Sequence, residues 1–268
     1  MSAAQSKIRL EGVRKTFPLR GQPGHAFVAL EDITLDVRAG EFLTLVGPSG
    51  CGKSTLLDLL GGLERPSAGR ILLDGAPVAG PARDRAIVFQ QYALFPWLTA
   101  QQNVEFGLDL AAEKPAIRRD KARQYLDLVG LSAFAQRYPH ELSGGMKQRV
   151  AIARSLAYEP AVLLMDEPFA ALDAQTRENL QLELLRIWRA TGKTIVFITH
   201  GIDEAIVLGQ RVAVMTARPG RIHRLFDVPA SLREQAEDVR SLPLFGELRH
   251  EIWRLLQEVQ GKKEVVHG

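Results

Sequence analysis

The stretch Gly47-Pro48-Ser49-Gly50-Cys51-Gly52-Lys53-Ser54-Thr55 follows directly on an apolar run, "FLTLV", and leads into "STLLDLLGGL". The run before it reads as a buried strand, Glu41–Val46, and the spacing after it predicts a helix that runs out at Gly61-Gly62. Without side-chain bulk at Gly47, Gly50 and Gly52, the backbone can curl until several N–H groups converge on one anion, and the following helix adds the positive end of its dipole. The residues from Gly47 to Ser54 satisfy G-x-x-x-x-G-K-[ST], and they do so between a strand and a helix, the context in which that spacing cradles phosphate. Lys53 then neutralises the outer phosphates, and the Ser54 hydroxyl ligates a magnesium ion bridging them. A flexible glycine turn with an exposed lysine is the bland alternative, and the flanks argue against it. Cys51 fills a position that the pattern leaves open. A thiol beside a lysine and a helix N-terminus leads to the expectation that a bulky thiol reagent blocks nucleotide binding.

Outward from this loop, alternating apolar positions predict strands over Ile8–Phe17 and Phe27–Val37, separated by the Pro- and Gly-punctuated loop "PLRGQPGH". Further strands are expected at Gly69–Leu73, Ala86–Gln90, Ala161–Met165, Thr194–Thr199 and Arg211–Thr216. Several are apolar on both faces, as a covered parallel sheet requires. Between Gln91 and Tyr158 the pattern changes to helices, in "LTAQQNVEFGLDLA", "AIRRDKARQYLDLVG" and "GGMKQRVAIARSLAY". Pro219-Gly220 is expected to close the core. Leu248, Ile252, Leu255, Leu256 and Val259 then mark a terminal amphipathic helix.

A second site follows from "AVLLMDEP". The apolar residues bring Asp166 to the end of a buried strand, where ligands of open α/β sheets gather. In extended geometry the next side chain points to the other face, so Asp166 would serve the magnesium shell while Glu167 polarises water. A helix-capping acidic pair before Pro168 is the competing reading.

The bulk numbers set limits. The 268 residues are 46% hydrophobic and 24% charged, enough for a sizeable core, and 34 basic against 31 acidic residues give a formal charge of only +3. A mixed solvated surface therefore fits better than a nucleic-acid footprint. With Cys51 the only cysteine, no intrachain disulfide is possible and a cytosolic address is the default. No stretch approaches the ~18 apolar residues of a membrane span, and the N-terminal residues have no signal-peptide core, so any membrane role must come through a partner.

At "LSGGMKQR", Leu142–Arg149, the chain resembles the ATP-binding cassette ATPases. Ser143, Gly144 and Gly145 precede a strong helix pattern, so a hydroxyl and exposed N–H groups sit at a second helix N-terminus. The resemblance implies that two such chains meet head to tail, with Ser143, Gly144 and Gly145 of one closing over the γ-phosphate held by the loop of the other. It also implies that Gln90 senses magnesium and the attacking water, and that "AALD", ending in Asp173, contributes to the interface. His200, at the end of "TIVFIT", would contact the γ-phosphate, and Phe17 would stack on adenine. Read alone, His200 is a satisfied strand-end histidine and Phe17 a core aromatic. Ala170, Met146 and Gly201 depart from the commoner family residues, and none removes a catalytic group.

The resemblance covers about Ile8 to Arg224 and implies an α/β fold: a P-loop NTPase core with a mostly parallel sheet, an N-terminal antiparallel β subdomain and an inserted α-helical subdomain. The expected division is an ATPase domain over 1–227, with the helical subdomain at about 91–158, and a helical extension over 228–268. Implied cofactors are ATP and Mg2+, with Glu167 as general base assisted by Lys53. "FPWLT", "EPFAALDAQTR", "THGIDEA", "TARPGRI" and "LPLFGELRHEIWRLL" look like the branch that imports taurine, aliphatic sulfonates and nitrate, taurine or sulfonate being preferred. That branch implies integral-membrane permease subunits, a periplasmic or extracellular solute-binding protein, a second ATPase subunit, no nucleic acid, and a peripheral place on the cytoplasmic face of the cell membrane. The alternative is a soluble cassette ATPase acting on nucleic acid or ribosomes, which usually carries fused cassettes or a long coiled-coil insertion. A P-loop kinase would leave Ser143–Gly145 and His200 unexplained.

Overall fold

The computed structural model describes residues 6–19, 21, 25–109, 114–234 and 239–261. The chain divides into two compact units, Met1–Ala82 with Thr194–Gly268, and Arg83–Lys193. The elements run β1 (Ser6–Pro18), β2 (Ala26–Arg38), β3 (Phe42–Val46), α1 (Lys53–Gly61), β4 (Ala68–Leu73), β5 (Ala76–Pro77), β6 (Arg85–Val88), α2 (Ala100–Asp109), α3 (Pro115–Leu128), α4 (Gly144–Ala157), β7 (Val162–Asp166), α5 (Ala174–Thr191), β8 (Thr194–Ile198), α6 (Ile202–Leu208), β9 (Arg211–Met215), β10 (Ile222–Asp227), α7 (Ala230–Glu234) and α8 (Pro243–Gly261). The end of the helix expected over 98–111 and positions 262–268 of the expected extension lie outside the described residues.

In the first unit, β1 is the hub of an antiparallel sheet ordered β2-β1-β4-β5. Ile8, Leu10 and Val13 on β1 are buried, while Arg9 and Arg14 face solvent, the alternation of a sheet covered on one side. A parallel group is centred on β3, which pairs with β8 on one side and β9 on the other. All five residues of β3 are buried, as a central strand with both faces covered must be. The antiparallel β10 borders β9. Val46, Val212 and Val214 from these strands, Ala205 and Ile206 from α6, and Phe245, Leu248 and Ile252 from α8 form one buried cluster. At the opposite end of the strands, Arg211 ion-pairs with Glu41 and donates to the Asp36 carbonyl at 2.6 Å. Glu41 and Arg211 are both buried. Each compensates the other's desolvation, and the Glu41 partner holds the guanidinium above its ordinary pKa.

In the second unit, β6 and β7 are a parallel pair, and α2, α3 and α4 pack against one another as a helical layer. α4 also packs on β6. Asp173 caps α5: its carboxylate accepts from the Thr176 amide at 2.9 Å, which holds this carboxyl below its usual range.

These elements are the expected α/β architecture, with parallel strands at the core, an antiparallel N-terminal sheet and a helical layer. The core does not close at Pro219-Gly220, as the sequence suggested. The chain turns there and returns as β10, whose His223 and Arg224 face solvent and hide the period of an edge strand.

Candidate functional site

The glycine loop sits between β3 and α1 as expected. Gly50 and Gly52 have φ of 70° and 98°, backbone that only glycine adopts without strain. A Cβ on Gly52 would meet the Leu30 side chain at 2.7 Å, and one on Gly47 would meet Cys51 Sγ at 2.8 Å. Both positions therefore also need glycine for close packing. Lys53 is buried, and its Nζ donates to the carbonyls of Gly47 at 2.9 Å and Pro48 at 3.2 Å, so the ammonium is bent back over the loop it follows. Gly52 is the N-cap of α1, with no side-chain cap and no acidic residue in the first turn. Uncapped first-turn amides, an unopposed helix dipole and a fixed ammonium suit an anion of several charges. Ser54 is exposed and Thr55 half-buried at the start of α1. Cys51 is 1% exposed. Its sulfur lies close under Gly47, and this burial works against attack on it by a bulky thiol reagent.

Strand register places a second residue beside this loop. Leu45 pairs with Ile198 in parallel, so Gly47 and His200 each lie two residues beyond the pair, at the same end of neighbouring strands. His200 is exposed. Thr199, just before it, hydrogen-bonds Glu204 and accepts from the Gly201 amide at 3.0 Å, which fixes the turn carrying the imidazole.

The second unit repeats this logic. Val88 pairs with Met165 in parallel, so Gln90 and Glu167 also emerge two residues past the pair at one strand end. Asp166 closes β7 and is half-buried, as is Glu167. Glu167 has φ 44°. The chain therefore leaves the strand in a left-handed turn at Glu167, closed by the Ala170 amide donating to the Glu167 carbonyl at 3.2 Å. The strand alternation assumed from the sequence stops at Asp166, which is a correction to that reasoning.

Ser143, Gly144 and Gly145 open α4. The Ser143 hydroxyl accepts from the Met146 amide at 3.3 Å, leaving its own O–H to donate outward. A Cβ on Gly145 would meet Thr176 Cγ2 at 2.7 Å, and one on Gly144 would lie 3.1 Å from the Tyr92 hydroxyl and 3.2 Å from Leu172. The start of α4 is thus packed between the segment after Gln90 and the segment ending at Asp173. Arg154, further along α4, donates to the carbonyls of Ala93 at 2.6 Å and Tyr92 at 3.2 Å. Burial pushes its pKa down. Arg154 is not marked out in the sequence, because an arginine at helical spacing reads as a solvated face.

Phe17 is half-buried on β1, with the Lys15 ammonium 4.8 Å from its ring centroid, and it pairs with Phe27 of β2. Gln90, His200, Ser143 and Asp173 are all exposed.

A family model described as "ABC transporter" matches residues 30–170, which hold the glycine loop, Gln90, Ser143–Gly145, Asp166 and Glu167. The chain belongs to the ABC transporter family. It is an ATPase of that family and binds ATP. A taurine import ATP-binding protein, TauB, of Roseobacter denitrificans is 46% identical over 244 residues, covering 88% of this chain and 91% of the relative. A nitrate import ATP-binding protein, NrtC, of Synechococcus elongatus is 46% identical over 259 residues, covering 96% of this chain and 39% of the relative. Among solved structures, a dimeric ATP-binding cassette in a post-hydrolysis state, bound to ADP and Pi, superposes with a TM-score of 0.72 at 35% identity, covering 83% of this chain and 99% of that one. Among the described residues no helix is long and apolar enough to cross a membrane.

Proposed function

We propose that this ABC ATPase drives a membrane importer of a small anion, taurine or an aliphatic sulfonate in preference to nitrate. The supporting observation is the 46% identity, over most of the chain, to relatives named for taurine import and nitrate import. On this reading two copies pair head to tail on the cytoplasmic face of the membrane, beneath permease subunits that receive substrate from a solute-binding protein. The stretch from the end of β6 into α2 carries Phe89, Trp97 and Phe106 as exposed aromatics, residues suited to meeting a permease helix.

Within the site, the amides of Gly47–Thr55 hold the phosphates, and Lys53 offsets charge on the outer ones as bonds rearrange. Phe17 stacks on adenine; the ring alone suffices for that contact. Glu167 accepts a proton from the attacking water, and His200 and Gln90 orient the γ-phosphate and that water. Ser54, Gln90 and Asp166 would supply hydroxyl, amide and carboxylate oxygens, the hard donor types that Mg2+ takes. When bound, magnesium supplies positive charge against the developing phosphate charge. Ser143, Gly144 and Gly145 of a second copy close over the γ-phosphate with a hydroxyl and helix-terminal amides, and Asp173 lies at that interface.

The test is reconstitution of the chain with its neighbouring permease and binding protein in vesicles. Taurine or a sulfonate on the outer side is expected to raise ATP hydrolysis severalfold and to accumulate inside. A chain that co-purifies instead with ribosomes or DNA, with no response to a small anion, would overturn the importer reading.

A further inference from the structure

The turn 216–221, "TARPGR", joins β9 to β10 and carries none of the roles assigned above. Thr216 closes it: the hydroxyl donates to the Pro219 carbonyl at 2.9 Å and accepts from the Arg221 amide at 3.0 Å. Gly220 is fastened to β2 on both sides, its amide donating to the Ala29 carbonyl and its own carbonyl accepting from the Glu31 amide, each at 2.9 Å. On its other flank Gly220 meets the glycine loop, since any Cβ there would run into the Cys51 carbonyl oxygen. The turn is therefore a bracket between β2 and the phosphate-binding loop.

Arg218 extends the bracket. Its Nε donates to the Gly50 carbonyl at 3.0 Å, and a Cβ on Gly50 would lie 2.6 Å from its Nη2. The same guanidinium stands 5.4 Å from the centroid of Phe27, within the range where a cation is held by an aromatic face. Phe27 is the cross-strand partner of Phe17. One side chain thus joins the glycine loop to Phe27, the strand-register partner of the residue proposed to stack on the base.

A nucleotide joins base to phosphates through one ribose, so it binds well only where the two recognition surfaces are held at a fixed separation before it arrives. We propose that Arg218 is a positioning residue for the nucleotide: by bridging Gly50 and Phe27 it fixes the spacing between the phosphate loop and the base-stacking strands. This rests on the assignment of Phe17 and Gly47–Thr55 above. A guanidinium is suited to the task because its edge can donate to a carbonyl while its plane lies against a ring, whereas an ammonium is a compact point charge. Arg218 is exposed, so its replacement removes no core packing and its effect falls on the ligand.

The experiment compares the full-length parent with Arg218→Gln, Arg218→Lys and Phe27→Leu, reading ATP affinity, steady-state hydrolysis and thermal midpoint. For Arg218→Gln the expected result is a rise of about tenfold in Kd and KM for ATP, the size of one charge-assisted contact. The kcat at saturating ATP and the thermal midpoint should hold. Arg218→Lys and Phe27→Leu should each fall between Arg218→Gln and the parent. An Arg218→Gln chain with the parent's Kd, or one that loses kcat with KM unchanged, overturns the proposal while leaving the site assignment standing. A parent whose ATP binding survives Lys53→Ala overturns both.

Discussion

At Glu167 the backbone leaves β7 in the left-handed region, φ 44°, which costs a non-glycine residue on the order of 1–2 kcal/mol. Such strain persists where the surroundings fix it. Glu167→Gln keeps the shape of the side chain but removes its ability to take a proton. Hydrolysis, followed as phosphate release, is expected to fall by about 10²–10⁴-fold while ATP affinity stays within about twofold of the parent. The candidate site residues were legible because they sit at fixed spacing beside a strand end or a helix start: Gly47 to Ser54, Asp166–Glu167, Ser143–Gly145. What joins them was not. Arg218 and Arg154 act through carbonyls of Gly50, Tyr92 and Ala93, contacts distant in sequence that leave no local pattern. The left-handed turn at Glu167 was hidden for the same reason, since nothing in "MDEP" distinguishes a strand that continues from one that stops.

Among the elements, α8 braces α6, the helix that begins two residues after His200. Phe245, Leu248 and Ile252 of α8 share a buried cluster with Ala205 and Ile206 of α6, and Arg249 pairs with Asp203 at 3.4 Å. Ile252 is fully buried, so Ile252→Ala should cost about 2–5 kcal/mol of stability, read as a lower denaturant midpoint. The apolar period of α8 was plain in the sequence. α5 was not: its helix is largely polar, with only Leu180, Gln181, Leu184, Leu185 and Ile187 buried. In the helical layer, burial pushes Tyr158 up to about 12, and burial together with the Glu159 charge pushes Tyr125 up to about 12. Both phenols ionise more readily in the unfolded chain, near 10. Their contribution is therefore fully present below pH 10 and lost as pH rises from about 10 to about 12. Circular dichroism along an alkaline titration should show the helices melting in that window, and Tyr158→Phe should shift the onset to higher pH.

For the whole molecule, the two helix starts proposed to bind anions, α1 and α4, belong to different compact units. A fold needs only one such terminus to hold a triphosphate. On the proposed function the second serves another copy; a solved structure that this chain resembles at 35% identity is a dimeric ATP-binding cassette. That the chain is an ABC ATPase could be read from its motifs. The anion of the proposed import could not, because on that proposal the substrate meets other subunits and leaves no imprint on a nucleotide site.

The most direct test of this account is the molar mass of the Glu167→Gln chain by light scattering, with and without Mg-ATP. Paired sites sealed across two copies predict twice the single-chain mass only when ATP is present, and reversion to the single-chain mass when Gly145→Asp is added. A mass that stays at one chain while ATP is demonstrably bound would contradict it.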